Sequence, residues 1–532
     1  MNAMVTPQQL RQMMDDGKEL AVIDVREEGV YSQEGHLLRV SNIPLSLLEL
    51  QVCQLLPRLN TRVVVCDGGE GLAALAANRL RAGGYTEVSV LDGGTPAWKA
   101  AGGRLYTGVY VPSKAFGEYI QHEDAPPEVT ATELDGWIKA GKDLVVVDSR
   151  PLNEFHRNSI PTAWDCPSAE LPYRMTDFVP SPDTTVVVNC GGRTRSIIGA
   201  QVLINAGFPH KVYALKDGTQ GWKLAGLQLQ HRRTESVPLP GDKGRQWALT
   251  AAERVSRRFG VRYIDAARLQ ALRDDPARTV YLLDVRSPEE YAAGHLPGAL
   301  SAPGGQLVQA TDTYIAVRPS VVVLTDNDGV RATMTAAWLL QMGHDEVYVH
   351  AAGDAASLEK GDTPSSLLPG ATLHARSIDV AALKQQTDGG TVQVVDFDTS
   401  LRYREGHIPG AWHVVRSRLG QQLQAVPAVA QWVFTAGDER LARLAAADAA
   451  RQFTTPVSVL TGGTAAWAAA GHALETGDER MTGPADDLSY RALDRKDKVE
   501  EAMLAYLKWE VELLDAVRED ADFGFRRYPA LN

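Results

Sequence analysis

Val186-Val187-Val188-Asn189-Cys190-Gly191-Gly192-Arg193-Thr194-Arg195-Ser196 is the stretch that decides the fold. Its three consecutive valines predict a strand buried on both faces, the glycine pair a tight loop, and the residues from about Ser196 onward a helix. Strand, loop and helix in that order are the repeating step of a parallel α/β sheet. The loop then falls at the carboxyl end of the strand, where such sheets take their ligands.

The same step occurs four times. Four apolar runs end in an acidic residue: Ala21-Val-Ile-Asp24-Val-Arg26, Val145-Val-Val-Asp148-Ser-Arg150, Tyr281-Leu-Leu-Asp284-Val-Arg286 and Val392-Gln-Val-Val-Asp396-Phe-Asp398. Each leads to a turn at Gly35-His36, Asn158-Ser159, Gly294-His295 or Gly406-His407. A second strand then reaches a loop position held by Asp67, Cys190, Asp326 and Thr435, which follows the acidic residue by 43, 42, 42 and 39 positions. That near-constant step marks internal repeats. Closing turns follow at Gly93-Gly94 to Trp98, Asp217-Gly218 to Trp222 and Gly462-Gly463 to Trp467, whereas the third copy has only Gly353-Asp354 and no tryptophan. Only one copy carries a cysteine at the loop position, so cysteine chemistry is expected once.

At 532 residues the chain is too long for one core, and four units of about 110 residues suit its length. The expected fold class is α/β: four tandem domains over 1–108, 125–235, 258–360 and 372–475, each a small parallel sheet covered by helices on both faces. Proline-marked linkers are expected near Leu105–Val129, Arg232–Gly244 and Gly361–Ala371. A helical extension over 486–532 completes the chain, with Val499, Met503, Tyr506, Leu507, Trp509, Val511, Leu513, Leu514 and Val517 forming an apolar face within Lys496–Glu519. That face predicts docking on a neighbouring domain, or otherwise a dimer or partner helix.

A net charge of −12 with no basic block argues against nucleic acid as a partner. No basic-then-apolar leader opens the chain and no run of 18 uncharged apolar residues occurs, so no membrane association and a cytoplasmic location are expected. Four cysteines, Cys53, Cys66, Cys166 and Cys190, are too few for a disulfide framework. With no Cys-x-x-Cys or Cys/His cluster, neither a metal nor another cofactor is expected.

The Cys190 loop has the makings of an anion cradle. Backbone amides of a tight loop opening a helix point inward, and together with the helix dipole they favour a thiolate. Arg193 and Arg195 add fixed positive charge whose planar fork suits a tetrahedral oxyanion. Cys53 and Cys66 read as packed thiols.

With these motifs in hand, the four units resemble rhodanese domains, the sulfurtransferase fold. The resemblance rests on the Asp-x-Arg strands, the Gly-His-Ile/Leu-Pro-Gly-Ala turns at His295 and His407, the Gly-Gly-x-x-Ala-Trp endings at Trp98 and Trp467, and the Cys190 loop, and it covers nearly all of residues 1 to 475. It implies that Cys190 is the nucleophile and persulfide carrier. Gly191, Gly192, Arg193, Thr194, Arg195 and Ser196 would bind the donor, with the two arginines on its anionic group. Sulfane sulfur from thiosulfate or a similar anionic donor would pass to a thiol or cyanide. Cys166 would be a packing residue or a second thiol that resolves the persulfide.

The second unit departs from the pattern, with Asn158-Ser159 for Gly-His and Thr162 for glycine, at a structural turn. Related dual-specificity phosphatases place the arginine six positions after the cysteine, whereas Arg195 is five after Cys190, which favours sulfur over phosphate. Inactive rhodanese domains commonly act as scaffolds, which implies that role for the units with Asp67, Asp326 and Thr435. The alternative reading is a sulfur carrier or sensor loaded by a partner protein bound to those domains. A homo-oligomer is compatible with either.

Overall fold

The computed structural model describes residues 3–352, 358–363, 366–427 and 429–529. Gly353 and Asp354 of the third closing turn, and 364–365 of the third expected linker, lie outside the described residues. The runs of valine, isoleucine and leucine form four parallel sheets. In the second repeat the strands lie in the order Glu128–Val129, Val212–Leu215, Thr185–Asn189, Leu144–Asp148 and Trp164–Asp165, and every neighbouring pair is parallel. Thr185–Asn189 is therefore the middle strand. Val186, Val187 and Val188 are fully buried, because helices cover both faces and solvent reaches neither. The other three repeats keep the same parallel order, with Arg62–Cys66, Val321–Asp326 and Gln431–Thr435 in the middle place.

The chain divides into two compact bodies that a linear reading of four units does not suggest. One comprises Met1–Val109 with Ser365–Asp494 and holds the first and fourth repeats; the other comprises Tyr110–Pro364 with Arg495–Asn532 and holds the second and third. In the first body Arg416 binds both oxygens of Glu49 at 2.7 and 2.9 Å and Asp448 at 2.9 Å, joining repeats 367 positions apart. Burial pushes the Glu49 carboxyl up, but the Arg416 hydrogen bonds outweigh it and hold the group below its ordinary range. In the second body Arg331 bridges Glu170 at 3.1 Å and Glu290 at 2.7 Å.

Two expected linkers are partly helical. Val111–Glu123 forms a helix inside the first, and Asp242–Phe259 takes over the end of the second. Pro112 misleads a reading of punctuation, since it stands in the first helical turn, where the missing N–H costs no hydrogen bond. The chain's last helix runs Val499–Arg518 and buries Met503, Leu507, Glu510, Leu513, Leu514 and Val517.

The Asp-x-Arg pairs are buried clasps. Arg150 Nε and Nη2 each bind Asp148 at 2.8 Å, and Nη2 also donates to the Asn158 carbonyl at 2.5 Å. The corresponding arginines donate to the Gly35 and Gly294 carbonyls. A backbone carbonyl accepts this bond, so replacing Gly-His by Asn-Ser leaves it intact. Thr162 has φ +69°, a left-handed conformation that a β-branched residue adopts at a cost, while Gly298 and Gly410 occupy the equivalent turns at +75° and +79°. Thr162→Gly is expected to stabilise the second body by about 1 kcal/mol, read from urea unfolding of the full chain.

In the fourth repeat Asp398 replaces the arginine, so buried Asp396 has no guanidinium beside it. Burial pushes its carboxyl up to about 7. A raised folded-state pKa stabilises fully below the unfolded value and loses that contribution as pH rises through the folded one. Stability is therefore expected to fall between about pH 4 and pH 7 on this account. Asp396→Asn should flatten that fall, measured as melting temperature against pH; an unchanged profile would contradict it.

Candidate active site

Cys190 leaves the middle strand of the second sheet directly before the helix Thr194–Ala206 and is 2% exposed. The closing turn clamps the loop from beside: the Thr219 amide donates to the Cys190 carbonyl at 2.8 Å and the Gln220 amide to the Gly191 carbonyl at 3.3 Å. Gly218 makes that approach possible. It has φ +53°, and a Cβ there would lie 2.3 Å from the Cys190 carbonyl oxygen.

The six residues expected to surround Cys190 do lie in one loop and first helical turn, but their side chains part company. Arg193 is taken by Glu118, at 2.7 Å from Nε and 3.1 Å from Nη2, and by Asp217 at 3.2 Å. Arg195 pairs with both oxygens of Glu154 at 3.0 and 2.8 Å and with Gln306 at 3.0 Å, and a Cβ on Gly191 would lie 3.9 Å from its Nη2. Ser196 turns its hydroxyl to the Arg193 carbonyl at 2.8 Å. Thr194 donates to Glu510 at 2.5 Å.

Glu510, with Tyr506, stands on the last helix, and Lys114 and Glu118 stand on the Val111–Glu123 helix. These four were absent from the sequence-based site. At Gly192 an added Cβ would come within 3.0 Å of Glu510 Oε2 and of Tyr506 Cε1; at Gly117 it would come within 2.8 Å of Thr194 Cγ2. Two helices outside the repeats thus press on the cysteine loop. A sequence signal existed: Glu510 is an acidic residue in step with Met503, Leu507, Leu514 and Val517 on the apolar face of its helix.

The other loops differ in kind. Asp67 accepts the amides of Gly69 and Ala73, both at 2.9 Å. Asp326 accepts those of Gly329 and Ala332 at 2.5 and 3.0 Å, with burial pushing its carboxyl up to about 6. Each carboxylate fills its own loop as a bound anion would. Thr435 makes a 3.2 Å hydroxyl contact with Thr464. All four cysteines are free, and burial pushes the thiols of Cys66 and Cys166 well up, which suits packing rather than nucleophilic attack.

A family model described as the rhodanese-like domain matches residues 6–101, 130–225, 265–356 and 379–470. The chain belongs to the rhodanese-like family. A crystal structure of thiosulfate sulfurtransferase from Pseudomonas aeruginosa superposes with a TM-score of 0.92 at 43% identity, covering 99% of this chain and 100% of that one. Likeness over the whole length of both chains extends the assignment to activity: this rhodanese-like chain is a sulfurtransferase. An HTH-type transcriptional regulator from Mycobacterium tuberculosis is 34% identical over 105 residues, 20% of this chain; the match spans 44% of the regulator's length. Among the described residues no helix is long and apolar enough to cross a membrane.

Proposed function

We propose that this rhodanese-like chain moves sulfane sulfur from thiosulfate, or a similar anionic donor, to a thiol or cyanide through a persulfide on Cys190. The observation that carries the reading is the contrast between loops: two are occupied by their own carboxylates, and only the second presents a sulfur nucleophile at a helix N-terminus, with Arg195 packed on the same loop. In the first step Cys190 thiolate attacks the outer sulfur of the donor. A new S–S bond forms, the donor's S–S bond breaks, and its electron pair leaves with sulfite. An acceptor thiolate or cyanide then attacks the outer sulfur of the persulfide and releases Cys190 as thiolate.

Gly191 and Gly192 let the loop turn tightly, the amides through Ser196 cradle the developing charge, and Arg195 orients the donor anion. Arg193 serves the loop's architecture through Glu118. The repeats with Asp67, Asp326 and Thr435 serve as scaffold or as binding surface for a protein partner, and the location is cytoplasmic. Full-length likeness to a thiosulfate sulfurtransferase favours a small donor over loading by a partner protein. The test is intact mass after incubation with thiosulfate. Gain of one sulfur atom by the wild type supports the reading, and its absence with every small anionic donor would sink it.

A further inference from the structure

We infer that Lys114 is a specificity-determining residue of the Cys190 site: its ammonium, oriented by Tyr506 and Glu510 of the last helix, supplies the charge that favours anionic over uncharged sulfur donors. This rests on the reading of Cys190 as sulfur carrier.

The electrostatics of the loop lead there. A dianionic donor needs cationic charge not already cancelled, and both loop arginines are held bidentately, Arg193 by Glu118 and Arg195 by Glu154. The carboxylates offset much of both charges, so Arg195 alone does not balance a dianion. Lys114 is bound less completely. Its Nζ lies 3.2 Å from Glu510 Oε1, an oxygen that also takes the shorter, 2.5 Å bond from Thr194. A second contact goes to Tyr506, whose ring centroid is 5.5 Å from Nζ. An ammonium has three N–H donors, so these two partners leave one for a ligand.

Contacts place that donor against the cysteine loop: Glu510, 3.2 Å from the ammonium, also takes the Thr194 hydroxyl, and a Cβ on Gly192 would meet Glu510 Oε2 and Tyr506 Cε1 at 3.0 Å. A buried ammonium packed on this loop gains from an anion drawn into it. Although burial works against the ammonium, Glu510 and Tyr506 hold its proton above the ordinary lysine range. Glu510 Oε2 is buried with no hydrogen-bond partner, so the carboxylate is committed on one side only. During transfer Lys114 would meet the sulfonate oxygens, on which charge grows as sulfite departs.

The experiment compares thiosulfate with an uncharged organic trisulfide, R–S–S–S–R, as donors, using kcat/KM and the single-turnover mass of the Cys190 adduct on the full chain: a persulfide from thiosulfate with sulfite leaving, and a mixed trisulfide from attack on the central sulfur with RS⁻ leaving. Lys114→Met is expected to lower kcat/KM for thiosulfate about 10- to 100-fold, the worth of one charge-assisted hydrogen bond, while the trisulfide changes less than about threefold. Lys114→Arg should restore most of the thiosulfate rate. Lys114→Met with Glu510→Gln removes both charges together and guards against a folding defect from an unpaired buried carboxylate. It should show the same donor selectivity. Equal losses with both donors in the folded double variant would overturn the inference, as would unchanged thiosulfate kinetics. Failure of the wild type to load sulfur from either donor would instead remove the carrier reading itself.

Discussion

Cys190→Ser is expected to abolish sulfur loading and to lower thiosulfate-dependent transfer by at least about 10⁴-fold, a loss of the size seen when a covalent nucleophile is removed. Serine keeps the shape of the loop, so the Thr219 and Gln220 amides can still clamp it and the variant should fold as the wild type does. What is lost is the sulfur. A hydroxyl at this position is far less acidic than a thiol and forms no bond to sulfur of comparable lability. Cys53, Cys66 and Cys166 remain in the variant. The Cys66 and Cys166 thiols are pushed well up and Cys53 is pushed up, each by burial, so none should take over. Intact mass after thiosulfate, with and without reductant, checks this directly. A sulfur gain in both proteins would place the reactive cysteine elsewhere.

Arg416→Met is expected to cost the first body about 3–5 kcal/mol, because it strands two buried carboxylates. Glu49 and Asp448 are 7% and 10% exposed in their side chains, and Arg416 supplies both oxygens of one and an oxygen of the other. Arg79 reaches the same two groups at 3.0 and 3.3 Å, but from a more exposed position it cannot replace the lost fork. Urea unfolding of the full chain should show an earlier transition for this body. A restoring substitution is Glu49→Gln in the same chain, which removes the stranded charge. If Arg416→Met left the unfolding curve unchanged, the junction between the first and fourth repeats would not depend on this cluster.

The repeats, the parallel sheets and the cysteine loop at a strand end are all legible in one dimension, for the same reason. Each rests on a local pattern: valine runs such as Val186–Val188, turns such as Gly294-His295, and a cysteine at a strand end before a glycine pair. Period and spacing survive in the sequence because a strand, a loop and a helix are contiguous. Asp67 and Asp326 stand at the same loop position in the sequence, and each takes two amides of its own loop.

What the tertiary structure alone decided concerns residues far apart in the chain. Pairing of the first repeat with the fourth rests on Arg416 and Glu49, and no local pattern encodes a contact 367 positions long. The place of Arg193 in the loop shows it beside Cys190, but not that Glu118, 75 positions earlier, holds its fork. Lys114, Tyr506 and Glu510 lay in segments whose patterns spoke only of a linker and of an amphipathic helix. A helix's period reveals that one face is buried; what that face meets depends on the packing of distant segments, and here it meets the loop that holds Cys190.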